Sequence, residues 1–453
     1  MNEDEVEVTR VVIMGAFGRD FHDFITVFRD DPSYRVVAFT QHGGQNLGET
    51  RDGGHDVFPA ELAGPHHDAD IPIEPESDLE RVVDEYDADE VVFSYSDVSH
   101  EDVMHQASRA MASGANFRLL GPEDIEVEVD APVLAVDAVR TGCGKSQLSR
   151  ALAEELHDRG LEAVVVREPM PYAEDLAANA VQRFETFDDL DAADVTIEER
   201  EEYEQHIERG HVVYAGVDYP EIFERAAAEG DVVVWDGGNN ELPFADPDLH
   251  FVLADPLRAD DTDTSHPGET NLRRADAVVV NKENSASREQ VTEVVARVHE
   301  ANRDADVYHA DSVVTVEDPE AIEGRDVLVV EDGPTLTHGD ADYGAGTVAA
   351  RKYNAAELLD PRDAAVGSIA DVFENYPHLE HVLPAMGYSD EQIRELEQTI
   401  EGVDPDVVVA GTPHDLGEQV DVSAPIVRVR YRIDFHDTTP SDLLDRYADR
   451  LGL

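Results

Sequence analysis

An α/β fold with a mostly parallel sheet is predicted for this 453-residue chain by three observations. Short Val/Ile-rich runs recur at Val11–Met14, Val36–Phe39, Val91–Phe93, Val133–Val136, Ala163–Val166, Val232–Trp235, Phe251–Leu253, Ala277–Val280, Val327–Val330 and Val407–Ala410. Helical stretches separate them, and continuous apolar runs between helices describe parallel strands covered on both faces. Polar or glycine-rich segments follow many of these runs directly, where open α/β sheets place their ligands.

Residues 1–128 read as an N-terminal Rossmann-like domain. Strand Val11–Met14 turns through Gly15-Ala-Phe-Gly18 into a helix from Asp20, and the unit closes at Phe117-Arg-Leu-Leu-Gly-Pro122. The segment Gly15-x-x-Gly18-Arg19-Asp20 is similar to a dinucleotide fingerprint without its third glycine, so a structural turn and a binding site both stay open. A second unit is expected over 129–343. Residues 344–453 are either a separate C-terminal lobe or the completion of the same sheet.

The second unit carries a phosphate motif. Arg140-Thr141-Gly142-Cys143-Gly144-Lys145-Ser146 follows a strand and precedes a helix expected over Gln147–Arg159. Glycines let backbone N–H groups close on phosphate oxygens, a lysine ammonium reaches the β- and γ-phosphates, and a serine hydroxyl binds Mg²⁺. Val139 stands where the general pattern has its first glycine. The segment resembles instead the variant K-G-G-x-G-K-[ST] of Min-type, signal-recognition and dethiobiotin-synthetase-like P-loop proteins, with Arg140 and Thr141 replacing the leading Lys and Gly. By that resemblance Arg140 would reach a phosphate across a dimer. Thr141 to Gln147 are the expected nucleotide contacts, with Lys145 catalytic and Ser146 on the metal. Asp236 ends the apolar run Val232–Trp235 and is the expected second metal-shell acid. Gly237 and Gly238 let the chain pass close to a γ-phosphate.

Val278-Val-Val-Asn281-Lys282-Glu-Asn284 is similar to the guanine motif N-K-x-D, with Asn284 in place of the aspartate. An asparagine amide offers one acceptor group and one donor group where a guanine reader needs two acceptors. ATP is therefore the expected nucleotide and GTP the alternative, with Asn281 and Lys282 as contacts. Further polar segments are Arg167-Glu-Pro-Met-Pro-Tyr172, Asp255-Pro-Leu-Arg258, His266-Pro-Gly-Glu-Thr-Asn271 before Arg273 and Arg274, Thr335-Leu-Thr-His338-Gly339, and Gly411-Thr412-Pro413-His-Asp415. Together they suggest one crowded site for an anionic ligand, with Arg167, His338 and Lys352 as catalytic candidates and Thr412, Pro413 and Asp415 as nucleotide contacts.

Composition narrows the classes. The formal charge is −68, from 102 acidic and 34 basic residues spread over the whole length. An even acidic spread describes a solvated surface of halophilic type. It argues against nucleic acid, whose phosphates need a basic face. Three lysines occur, Lys145, Lys282 and Lys352, leaving 34 − 3 = 31 arginines. Two of the three lysines lie in nucleotide motifs, which draws attention to Lys352. It follows the glycine-rich turn Gly344-Ala-Gly346, whose N–H groups could meet an anion. The single cysteine, Cys143, excludes an intrachain disulfide and an all-cysteine metal site. The polar N-terminus does not read as a signal peptide, and no apolar run reaches the ~18 residues of a membrane span. A cytoplasmic location is expected.

The segments RTGCGKS, REPMPY, VQRF, TIEEREEYEQHIERG, WDGGNN, PGETNLRRAD, VVVNK, GPTLTHG and GTPHDL together resemble the cyclic 2,3-diphosphoglycerate synthetase family and its uncharacterised relatives, over nearly the whole chain. The resemblance implies a Rossmann-like domain, a P-loop core, a homodimer, and ATP- and Mg²⁺-dependent closure of a pyrophosphate bond in a small phosphorylated acid. The alternative is a regulatory or metallochaperone-like GTPase. Against it, the one thiol lies inside the phosphate loop, where it cannot build a metal cluster.

Overall fold

A computed structural model of the chain describes residues 8–16, 18–42, 56–168, 176–193, 195, 197–238, 241–331, 344–376, 379–385, 390–412 and 416–453. The chain divides into two compact units. One comprises Met1–Ala193, Arg209–Ala310 and Phe435–Leu453, and the other Asp194–Glu208 and Asp311–Asp434. Segments 129–343 and 344–453 therefore each contribute to both units.

The first unit holds two sheets. Its N-terminal sheet is built from β1 (Thr9–Met14), β2 (Tyr34–Gln41), β3 (Val57–Phe58), β4 (Ile71–Pro75), β5 (Glu90–Phe93) and β7 (Asn116–Arg118), in the order β3-β4-β2-β1-β5-β7. All pairs are parallel except β3–β4. Successive strands leave β1 in opposite directions, so the strand order reverses at β1, between β2 and β5. Short β6 (Val98–Ser99) lies outside this sheet. Val11, Ile13, Phe21, Phe24, Phe28, Phe39 and Phe58 pack together beneath it, joined by Leu242 and Val217 from the segments that follow two strands of the second sheet. His22, fully buried, stacks on Phe244 at 4.0 Å and lies 2.8 Å from the Ile125 carbonyl. Burial lowers its pKa to about 3, so it packs as a neutral ring.

The second sheet runs β10 (Val181–Phe184), β11 (Val212–Gly216), β9 (Ala163–Arg167), β12 (Val232–Asp236), β8 (Val133–Ala138), β13 (Leu249–Ala254), β15 (Ala277–Val280) and the start of β16 (Asp306–Val316). Only β10–β11 is antiparallel. The apolar runs are what burial on both faces demands: every residue of β8, β9, β12, β13 and β15 is buried. Register aligns Val136, Asp236 and Arg167 across three adjacent strands. The two sheets are stitched by a two-residue antiparallel ladder, β14 (Ser265–His266) against β6.

In the second unit, parallel strands run β21 (Ile426–Phe435), β20 (Val407–Gly411) and β17 (Asp326–Glu331). The far edge of β17 meets β18 (Glu357–Leu358) and then β19 (Val382–Pro384). Helices Ala345–Lys352, Gly367–Asn375 and Asp390–Val403 belong to this unit, and Ala349, Ile369 and Ile400 pack with Leu328, Val330 and Val408 in its core.

All ten runs anticipated as strands are strands. No helix among the described residues is long and apolar enough to cross a membrane. On the surface, single arginines are shared among several acids: Arg81 meets Glu74, Asp78 and Glu85, and Arg297 meets Asp260, Asp263 and Glu293. With cations so outnumbered, self-repulsion dominates in dilute buffer, whereas at ~1 M salt the Debye length falls to about 3 Å. We expect the melting temperature to rise steeply between dilute and molar KCl. A flat profile would contradict this account of the surface.

Candidate active site

The loop between β8 and the helix Lys145–Asp158 is shaped by two glycines at positive φ, Gly142 at 86° and Gly144 at 106°. There L side chains are strained. At Gly144 a Cβ would also lie 2.4 Å from the Asn281 amide nitrogen. Lys145 opens the helix and is 6% exposed. Ser146 is half-buried and Gln147 buried, while Thr141 and Gly142 are exposed at the loop's tip. A strand, a left-handed glycine turn and a helix N-terminus thus meet at the buried Lys145, the elements from which phosphate cradles are built.

Its supports come from neighbouring strand ends. Asn281 Nδ2 donates to the Cys143 carbonyl at 2.9 Å, so this side chain fixes the loop. Lys282, itself left-handed at φ 61°, pairs with Asp255 at 2.8 Å. Asp255 also accepts from the Leu257 N–H, and Arg258 donates to the Thr141 carbonyl. Arg140 lies between Asp97 (3.8 Å) and Asp261 (3.4 Å), and Asp97 accepts from the Thr141 N–H. Asn284 is exposed.

Two acids stand at the ends of the central strands. Asp236, fully buried, is ion-paired with Arg167 at 2.7 Å, and Arg167 is 3% exposed. The pair joins the two residues expected to serve metal and substrate. Asp137, at the end of β8, was not anticipated. It accepts from Trp235 Nε1 at 3.3 Å and lies 2.9 Å from His250 Nε2. Burial raises its pKa against the opposing pull of His250 and Lys145. Its signal in the sequence is an acid inside the apolar strand Val133-Leu-Ala-Val-Asp-Ala138. A Cβ at Gly237 would lie 2.3 Å from Asp137, so Gly237 is small because the carboxylate is there.

The remaining candidates divide. Arg273 pairs with Glu269 and Arg274 with Glu126, both as partners on the same unit. Lys352 is exposed at the end of its helix, donates to the Val314 carbonyl at 2.6 Å and lies over the Tyr353 ring. The turn Gly344-Ala-Gly346 does meet an anion, the protein's own Glu331: its carboxylate accepts from the N–H groups of Gly344, Gly346 and Thr347 at 2.7–3.0 Å. Thr412 is buried at the end of β20. His338, Pro413 and Asp415 lie outside the described residues. The described residues contain no group of three or more His, Cys, Asp or Glu placed to hold a metal ion.

At the N-terminal motif, Asp20 closes the glycine turn. Its carboxylate accepts from the N–H groups of Gly18 and Phe21, and a Cβ at Gly15 would lie 2.4 Å from it. A carboxylate on those donors repels a pyrophosphate, so this turn is structural and not a dinucleotide cradle.

Among curated proteins, arginine synthetase ArcE from Thermococcus kodakarensis is 52% identical over 430 residues, covering 95% of this chain and 94% of that protein. The chain belongs to the arginine synthetase ArcE family. No protein-family model matches it. Solved structures similar to it include hydrogenase maturation factor HypB from Archaeoglobus fulgidus, at 14% identity and TM-score 0.21 over 40% of this chain and 80% of that one. A DUF1611 protein from Anabaena variabilis aligns at 12% identity and TM-score 0.22, over 66% and 94%. Cobyrinic acid a,c-diamide synthase from Mycobacterium smegmatis, solved with an ATP analogue and magnesium, aligns at 16% and 0.18, over 46% and 77%. The fold assignment rests on the strands and their register, not on these alignments.

Proposed function

We propose that the protein is an ATP-dependent synthetase whose product is arginine. The observation that carries the ATP-dependent half is the cradle: Gly142 and Gly144 at positive φ leading into the buried Lys145. The product comes from the name of the family's curated member. A synthetase ending on arginine has to make a guanidinium carbon–nitrogen bond. ATP serves this by activating a ureido oxygen. That oxygen attacks the γ-phosphorus, and the bond to the ADP oxygen breaks. The lone pair of an amine nitrogen then adds to the ureido carbon. The carbon–oxygen bond breaks, phosphate leaves, and the nitrogen loses a proton.

Such a reaction needs positioning and charge neutralisation. The loop N–H groups and Lys145 hold the β- and γ-phosphates, and Arg140 and Arg258 stand at the rim. Mg²⁺ would be held by Ser146 and Asp236 and would neutralise phosphate charge. The second reading, carried by the motif resemblance, is cyclisation of 2,3-diphosphoglycerate. Product analysis in molar KCl separates the two. We expect citrulline plus ammonium to accelerate phosphate release from ATP and to yield arginine, with ATP preferred over GTP. Phosphate release driven by 2,3-diphosphoglycerate alone would replace this reading with the second. A clear GTP advantage with no acceptor dependence would favour a switch GTPase.

A further inference from the structure

The carboxyl ends of the strands at the switch point of the N-terminal sheet lie beside charges that the phosphate loop does not use. Arg19 opens the helix after β1 and is 3% exposed, yet none of its three guanidinium nitrogens makes a hydrogen bond. It is ion-paired with Asp23 at 3.5 Å. Asp23 is itself engaged by the Ser94 hydroxyl at 2.7 Å, from the end of β5. A buried guanidinium with unused donors is costly unless something planar and anionic completes it. β1 and β5 flank the switch point, where doubly wound sheets bind ligands.

His22, on the helix that Arg19 opens, stacks on Phe244 from the segment after β12, and the ends of β9 and β12 bring two carboxylates together. Glu168 follows Arg167, and Glu241 follows the glycine pair after Asp236. A Cβ at Gly238 would lie 2.9 Å from Glu168 and 3.1 Å from Glu241, so the glycine leaves room for both acids. Glu241 is fully buried, and the Asn271 amide donates to its backbone carbonyl at 2.8 Å. His266, on the ladder joining the two sheets, has a buried Nε2 without a hydrogen-bond partner. Burial and the charge of Arg19 lower His266 to about 3, so it stays neutral. Burial and the adjoining Glu241 push Glu168 well above the usual carboxylate range, with Asp20 adding to the rise and Arg19 opposing it, so the hydrogen-bonded pair holds one proton and carries a single negative charge. Gly237 links this group to the cradle through Asp137.

We propose that Arg19 and the Glu168–Glu241 pair form the amino-acid pocket, Arg19 taking the α-carboxylate of citrulline or arginine and the two acids the cationic end that arginine carries. The assignment deepens the synthetase reading and rests on it. A guanidinium opposite a carboxylate pair complements a zwitterion carrying an extra positive charge, which is arginine. The same pair repels a ligand with two phosphates.

The test is calorimetric titration of the full chain in molar KCl, with ADP and Mg²⁺ present, using L-arginine, agmatine (arginine without its carboxylate) and L-citrulline (arginine without its charge). We expect the parent to prefer arginine over agmatine on the order of 10- to 100-fold, the span of a charge-assisted hydrogen-bond set. Arg19→Met should erase that preference while leaving ADP affinity near the parent's, and Arg19→Met combined with Asp23→Asn, which leaves no carboxylate stranded, should do the same. Glu168→Gln should weaken arginine by a similar factor and leave citrulline unchanged. If the parent binds arginine but does not discriminate agmatine, or Arg19→Met still does, the pocket is wrong and the synthetase reading stands. If the parent binds ADP but neither arginine nor citrulline, the synthetase reading falls, and this assignment with it.

Discussion

Lys145→Ala is expected to lower ATP turnover by on the order of 10²–10³-fold or more, the range lost when one preorganised charge stabiliser is removed from a reacting centre. Lys145 is buried at the helix start, where the left-handed Gly144 aims the chain, and no other lysine lies in the loop. Arg140 and Arg258 are already shared with Asp97, Asp255 and Asp261, so neither can move in as a substitute without breaking its own pairs. The loss should fall on kcat more than on KM if the ammonium follows charge developing on the γ-phosphoryl group. Steady-state phosphate release in molar KCl measures both, beside a melting curve that shows the variant folded. Near-parental turnover by the folded variant would remove the phosphate assignment of the whole loop.

The second large effect is on stability. Arg167 and Asp236 form a pair at 2.7 Å with Arg167 at 3% exposure and Asp236 at 0%. Removing one member of a buried pair leaves an uncompensated charge, which costs roughly 3–5 kcal/mol. Arg167→Met should therefore lower unfolding free energy by about that amount, and adding Asp236→Asn should recover a large part of it. Urea unfolding in molar KCl of the parent, both single variants and the double variant gives the cycle. A single-variant cost below about 1 kcal/mol would mean that solvent screens the pair, against the burial described here.

Much of this arrangement is legible in the sequence because the physics is local. Val133–Val136 and Val232–Trp235 announce buried parallel strands, and the loop between Val139 and Lys145 announces its own turn. β21 was missed because Ile426-Val-Arg-Val-Arg-Tyr-Arg-Ile-Asp-Phe435 alternates polar and apolar residues, unlike the buried runs. The role of Asn281 could be placed at a nucleotide motif, but its grip on the Cys143 carbonyl spans 138 residues. Glu168 sat unremarked inside Arg167-Glu-Pro, and Glu241 was not singled out at all. Residues 73 apart share no period, and only the adjacency of β9 and β12 brings them together.

The Glu331 carboxylate in its ring of three N–H groups has a consequence for competition between ligands. A tethered carboxylate is present at a fixed high effective concentration, so a dissolved phosphate would have to outcompete a group that never diffuses away. It would also have to leave that carboxylate stranded beside it, because Gly411 and Gly344 are already close enough that an added methyl would collide with Glu331. The turn is thus self-liganded. Its anion is supplied by the chain's own folding, and the second unit can complete this helix start at any metabolite concentration.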